Sequence, residues 1–104
     1  MSKFVFVYHG GTMPESAEEG ARVMADWQAW FAPMAEAVID GGNPVGMSST
    51  VHSDESTTSD GGSNPVSGYS LVSAAGIEQA LELAKGCPIL KANGSVEVAE
   101  AIDM

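Results

Sequence analysis

Fourteen Asp and Glu against four Lys and Arg give this 104-residue chain a formal charge of −10. That field repels phosphate backbones and anionic lipid, so nucleic acid and membrane surfaces are excluded as expected partners. The length suits one domain spanning residues 1–104, and a hydrophobic content of 44% belongs to a globular chain. A single cysteine, Cys87, rules out an internal disulfide and any multi-cysteine metal site. No apolar run approaches the roughly 20 residues of a membrane-spanning helix, and the N-terminus lacks a signal-peptide pattern, so a cytoplasmic location is expected.

In chain order, Lys3-Phe4-Val5-Phe6-Val7-Tyr8-His9 is a run of aromatic and β-branched residues that ends in Gly10-Gly11. Phe4, Phe6 and Tyr8 fall on one side of a strand and Val5, Val7 and His9 on the other. Neither side is polar before His9, which predicts a central strand covered on both faces. Ser16 with Glu19 three residues on forms a capping box that opens a helix with acidic residues in its first turn. Apolar residues at Val23, Met24, Trp27, Trp30, Phe31, Met34 and Val38 keep one helical face, so a single helix kinked by Pro33 is expected to run to Gly41-Gly42.

Asn43-Pro44 then opens an edge strand from Val45 to about His52. Ser53 to Pro65 is a long polar loop with a small hairpin turning near Asp54-Glu55. Ser67 to Ala74 reads as a second central strand in which Gly68 permits close backbone approach. Gly76 to Lys85 is a helix with Ile77, Ala80, Leu81 and Ala84 on its apolar face, closed by Gly86 and stopped by Pro88. A single turn at Pro88-Ile89-Leu90-Lys91, a turn at Asn93-Gly94 and a half-exposed strand from Ser95 to Glu100 complete the chain.

The order β-α-β-β-α-β is the split arrangement of a ferredoxin-like α+β fold. Right-handed crossovers place the first and third strands centrally in an antiparallel sheet, with the other two at its edges and both helices on one face. The opposite apolar face would stand open in a monomer, which predicts a homodimer closed through it.

The chain resembles the YCII-related family, also called DGPF-domain proteins, along nearly its whole length. The resemblance lies in the opening strand Phe4 to Gly10, the Trp-containing first helix, the loop Asp60-Gly61-Gly62 leading into Ser67 to Val72, and above all Ala80 to Pro88 followed by Gly94 to Val98. The Asp-Gly-Pro-Phe signature is half kept, with Gly62-Ser63 in place of Pro-Phe. The resemblance implies a dimeric α+β barrel, no obligatory cofactor, and in some branches action on small cyclic or aromatic compounds through a His-Asp pair. The histidine of those branches lies in the first helix, where this chain has none, and Asp60 is the residue that carries over by position.

His9 and His52 are the only imidazoles. His9 ends the central strand where the Asp60 to Pro65 loop returns, so Asp60 and His9 are candidate catalytic partners. In the alternative, a backbone carbonyl satisfies His9 and Asp60 merely turns the chain at Asp-Gly. Trp27 and Trp30 are either core anchors or a stacking platform, and Tyr8 and Tyr69 either line the mouth of a cavity or pack inside; these four are the candidate ligand-binding residues. His52 among Ser and Thr reads as solvated, and Cys87 as a packing residue. Gly61-Gly62 and Gly41-Gly42 lack the spacing and Lys of a phosphate loop, and the acidic loop residues lack the periodicity of a calcium loop, so no metal is expected; that no cofactor is needed is what the resemblance implies. Two functions remain: a cofactor-independent lyase or isomerase moving protons on a small cyclic or aromatic metabolite, or a non-catalytic small-molecule binding module or dimeric scaffold.

Overall fold

The computed structural model describes residues 1–104. Strand β1 (Ser2–His9) is followed by helix α1 (Ala17–Phe31), β2 (Val38–Asp40), β3 (Thr50–Val51), β4 (Thr57–Thr58), β5 (Val66–Ala74), α2 (Ile77–Ala84) and β6 (Ser95–Glu100), with 3₁₀ turns at Ala32–Ala37 and Pro88–Ala92. The main sheet has the order β2-β5-β1-β6, and β3 and β4 form a separate hairpin. Both neighbours of β1 run antiparallel to it, so the two most apolar strands are central, as the sequence predicts.

Alternation along β1 and β5 sorts their side chains cleanly. Phe4, Phe6, Tyr8, Ser70, Val72 and Ala74 are buried beneath the helices, while Val5, Val7, His9, Tyr69 and Leu71 are half-buried on the other face. Trp30 stacks on Phe6 at a centroid distance of 6.3 Å, and its indole N–H donates to the Leu83 carbonyl at 2.9 Å, which ties α1 to α2. Gly86 makes room for that ring, because a Cβ there would lie 3.2 Å from it.

Ser16 caps α1 by accepting from the Glu19 N–H at 3.0 Å. The reciprocal arm is shifted by one residue: the Glu19 carboxylate takes the N–H of Glu15 at 3.2 Å. The long kinked helix is corrected. α1 ends at Phe31, the N–H of Ala32 makes a last bond to the Gln28 carbonyl, and Met34 leaves helical space at φ −110°. Pro33 has no N–H to continue the ladder. Val38 keeps the helical phase by coincidence, since it lies in a strand and pairs with Val72.

The edge strand consequently starts earlier than Val45. Pairing to β5 begins at Val38, passes a bulge, and continues through the Pro44–Gly68 bridge and the Val45 N–H to the Ser67 carbonyl. Of the expected Val45 to His52 strand only Thr50–Val51 is extended, in the hairpin that turns at Asp54-Glu55, where Glu55 has φ 71°. The apolar face of α2 is also corrected: Ala80 and Ala84 are buried, but Leu83 packs on the core while Ile77 and Leu81 are exposed.

The bend after β2 depends on one residue. Gly42 has φ +73°, and a Cβ there would fall 1.7 Å from the Tyr69 carbonyl oxygen, whereas one on Gly41 would meet nothing within 4 Å. Left-handed backbone alone costs a non-glycine residue about 1 kcal/mol or more. Gly42→Ala should therefore lower the urea-unfolding midpoint strongly, while Gly41→Ala leaves it nearly unchanged.

Candidate functional site

The end of α1 does not close onto the sheet. Between Val23, Trp27 and Phe31 on the helix, Tyr8 and Gly68 on the central strands, and the Gly41–Pro44 segment lies a cavity of about 480 Å³. Its aromatic wall is preorganised. Trp27 meets Tyr8 edge to face at 5.0 Å and Trp30 at 5.6 Å, and Trp30 contacts Phe31 at 4.8 Å. Gly68 lets the wall form, because a Cβ there would stand 3.1 Å from the Asn43 carbonyl and 3.3 Å from the Tyr8 ring. A broader hollow at the opposite sheet end, lined by Met1, Pro33, Met34, Ser73 and Leu83 among others, has no aromatic side chain in its wall.

Polar groups at the cavity are few and none is charged. The Tyr8 hydroxyl donates to Ser70 Oγ at 2.7 Å, and Ser70 Oγ donates to the Gly41 carbonyl at 2.7 Å. Burial makes the Tyr8 phenol harder to ionise than usual, outweighing the opposing effect of the Ser70 bond. Tyr69, whose cross-strand partner is Val7, sits on the other side of β5 and borders the cavity beside Asn43, whose Nδ2 donates to its hydroxyl at 3.4 Å. Gln28 also lines the wall.

Of the residues singled out in the sequence, Tyr8, Trp27 and Tyr69 border this cavity. Trp30 is buried behind it as an anchor for Trp27. Val23, Met24, Asn43 and Gly68 also line it; Val23 and Met24 carried a sequence signal in their place on the stripe of α1, and Gly68 in the close backbone approach that it permits.

His9 and Asp60 are not brought together. Asp60 Oδ1 accepts from the Gly62 N–H at 3.1 Å, the turn role that Asp-Gly allows. His9 instead bridges two strands and a loop: Nδ1 lies 2.9 Å from the Asn64 carbonyl and Nε2 lies 2.9 Å from Glu97 Oε1. Glu97 pairs with Val7 across β1 and β6, which puts it diagonally beside His9 on the helix-free face. Both partners accept only, so the doubly protonated ring satisfies both at once. The Glu97 bond, assisted by the Pro65 and Asn64 carbonyls and opposed by desolvation, raises the His9 pKa above its ordinary 6.5. His52 is exposed and meets Thr58 Oγ1 at 3.1 Å. Cys87 is buried, which pushes its thiol up to about 11, a packing residue as expected. No group of three or more His, Cys, Asp or Glu side chains is placed to hold a metal ion, and no helix is long and apolar enough to cross a membrane.

The architecture defines the class: a ferredoxin-like α+β domain with an aromatic-walled cavity between its sheet and helix layers. No family model and no curated protein sequence matches the chain. Among solved structures it is similar to 5-chloro-2-hydroxyhydroquinone dehydrochlorinase (TftG) from Burkholderia phenoliruptrix, in complex with 2,5-dihydroxybenzoquinone, with a TM-score of 0.56 and 15% identity over 96% of this chain and 95% of that one. The likeness shows a shared α+β fold.

Because folding raises the His9 pKa, its bond to Glu97 contributes fully below pH 6.5 and is lost as pH rises through the folded value. Glu97 is 68% exposed, so the contribution is small. An NMR titration should find the His9 midpoint above the ordinary 6.5, and Glu97→Gln should lower it.

Proposed function

We propose that this protein binds a small, uncharged cyclic or aromatic metabolite in the cavity between α1, Gly68 and the Gly41–Pro44 segment. The single observation that carries the reading is the composition of that wall: aromatic side chains in edge-to-face and tilted contact, aliphatic side chains, a few neutral polar groups, and no charged side chain. With a formal charge of −10 and no cation in the wall, a carboxylate or phosphate ligand has nothing to hold it. The fold neighbour's complex with 2,5-dihydroxybenzoquinone supports a ligand of this size and shape.

The working unit in this reading is a pair of identical chains joined through the helix-free sheet face. Val5, Val7 and Leu71 stand there half-buried with Ile39 exposed beside them. The chain presents 7126 Å² to solvent, against about 5,500 Å² for an ordinary monomer of its mass. The surplus exceeds the roughly 800 Å² per partner of a standard interface. Its radius of gyration, 14.9 Å, also exceeds the ~13 Å of a compact domain of this length, as a plate only 18 Å thick requires.

A second reading, a cofactor-independent lyase or isomerase of YCII-related type, is favoured by the neighbour's dehydrochlorinase activity. It asks His9 or Asp60 to leave its present partners, since neither faces the aromatic cavity. Binding without chemistry is the simpler account of the geometry.

Thermal-shift titration with neutral hydroxylated aromatics tests the reading, because a ligand at 100 times its Kd stabilises by about 2.7 kcal/mol. Trp27→Ala should abolish the shift, and failure of every such compound to raise Tm would overturn the reading. Proton NMR of a bound compound in D₂O separates the two functions: deuterium appearing at its carbon positions marks an enzyme, and binding without exchange marks a binding module. Sedimentation equilibrium should show a dimer at micromolar concentration, which Val7→Lys dissociates.

A further inference from the structure

We infer that the cavity selects rings that donate a hydrogen bond, a phenolic or enolic O–H, over rings that offer only a carbonyl or ether oxygen, and that Tyr8 makes this choice. The inference rests on the proposed binding of a ring beside Trp27 and specifies its polarity. Its basis is the direction of the bonds running from Tyr8 through Ser70 to the Gly41 carbonyl.

A carbonyl oxygen cannot donate, so the 2.7 Å contact at Gly41 is made with the proton of Ser70. Ser70 is fully buried and has no second proton. The 2.7 Å contact between Ser70 and Tyr8 is therefore made with the phenolic proton, which points inward. What remains on the Tyr8 oxygen is acceptor capacity, and no other side chain or backbone group donates to it. Tyr8 and Gly41 both border the cavity, as does Gly68, over which the Tyr8 ring lies. A ligand that reaches the Tyr8 oxygen thus meets an acceptor.

The arrangement is firmly held. Burial disfavours the phenolate, so the proton stays on Tyr8 and in its bond to Ser70 rather than passing to a ligand. A ring O–H placed against Tyr8 completes the row of bonds, each group donating to the next as far as Gly41. A ring carbonyl placed there sets two acceptors against each other, and turning the phenol outward to meet it would leave Ser70 Oγ without its donor.

The experiment measures dissociation constants of phenol and acetophenone by Trp fluorescence and calorimetry for the native chain, Tyr8→Phe and Ser70→Ala, with circular dichroism confirming each fold. The native chain should favour phenol by about tenfold relative to the ratio in Tyr8→Phe, which subtracts differences of ring size. In Ser70→Ala the phenolic proton is released toward the cavity, and acetophenone should gain on phenol by a similar factor. Equal ratios in the native chain and Tyr8→Phe would overturn the inference and leave ring binding intact. Should Ser70→Ala misfold, Ser70→Cys, whose thiol is a weak donor and acceptor, should narrow the phenol preference, and an unchanged ratio there also counts against the inference. Absence of binding by both compounds to the native chain would overturn the binding reading itself.

Discussion

The packing of one row of side chains, Phe4, Phe6 and Tyr8, beneath the indoles of α1 holds the two layers of this protein together. Phe4 and Phe6 are completely buried and Tyr8 nearly so. Losing a buried phenylalanine costs about 3–5 kcal/mol, a large share of the stability of a domain this small. The same row also decides where space is left. Phe6 is paired with Trp30, which seats α1 on the sheet and is locked to α2 through Leu83. Tyr8, two residues on, meets the more peripheral Trp27 and stands where the layers part. The cavity is thus a continuation of the core with its last layer missing.

The other side of β1 is governed by different forces. Val5 and Val7 present an apolar strip that no helix covers, and His9 closes it with a charged clamp between Glu97 and the Asn64 carbonyl. The clamp joins the end of the long 53–65 loop to the sheet, and the loop carries its own hairpin. The end of β1, already paired to β5 and β6 through its backbone, is tied further on both edges, to the loop before β5 through the Asn64 carbonyl and to β6 through Glu97.

Much of this was legible in the residues. The central strands, the α1 start at Ser16, the turn at Asn93-Gly94 and the hairpin at Asp54-Glu55 follow from local chemistry that tertiary structure does not overrule. Helical periodicity misled beyond Phe31, because Met34 and Val38 are apolar for separate reasons: one fills the core from a 3₁₀ turn and the other pairs in β2. The placement of Leu83 rather than Leu81 depends on where α2 rolls against Trp30, which no spacing encodes. Asp60 was attractive by its place in a signature, while Glu97 was reachable only by combining strand order with antiparallel register and alternation. The cavity residue Asn43 is an ordinary polar residue in sequence and acquires meaning only once β2 bends at Gly42, whereas Gly68 keeps the close-approach role that its place in a strand suggests.

Met24 gives the cavity a chemical vulnerability. Met24 lines the cavity and is 63% exposed as a residue, so an oxidant diffusing up to the protein meets it before the buried thiol of Cys87. Conversion to the sulfoxide would place a strong dipole in the apolar lining of the cavity, and enzymatic reduction of the sulfoxide would restore it. The polarity of the cavity would then follow the redox history of one sulfur atom, although its aromatic wall is unaltered.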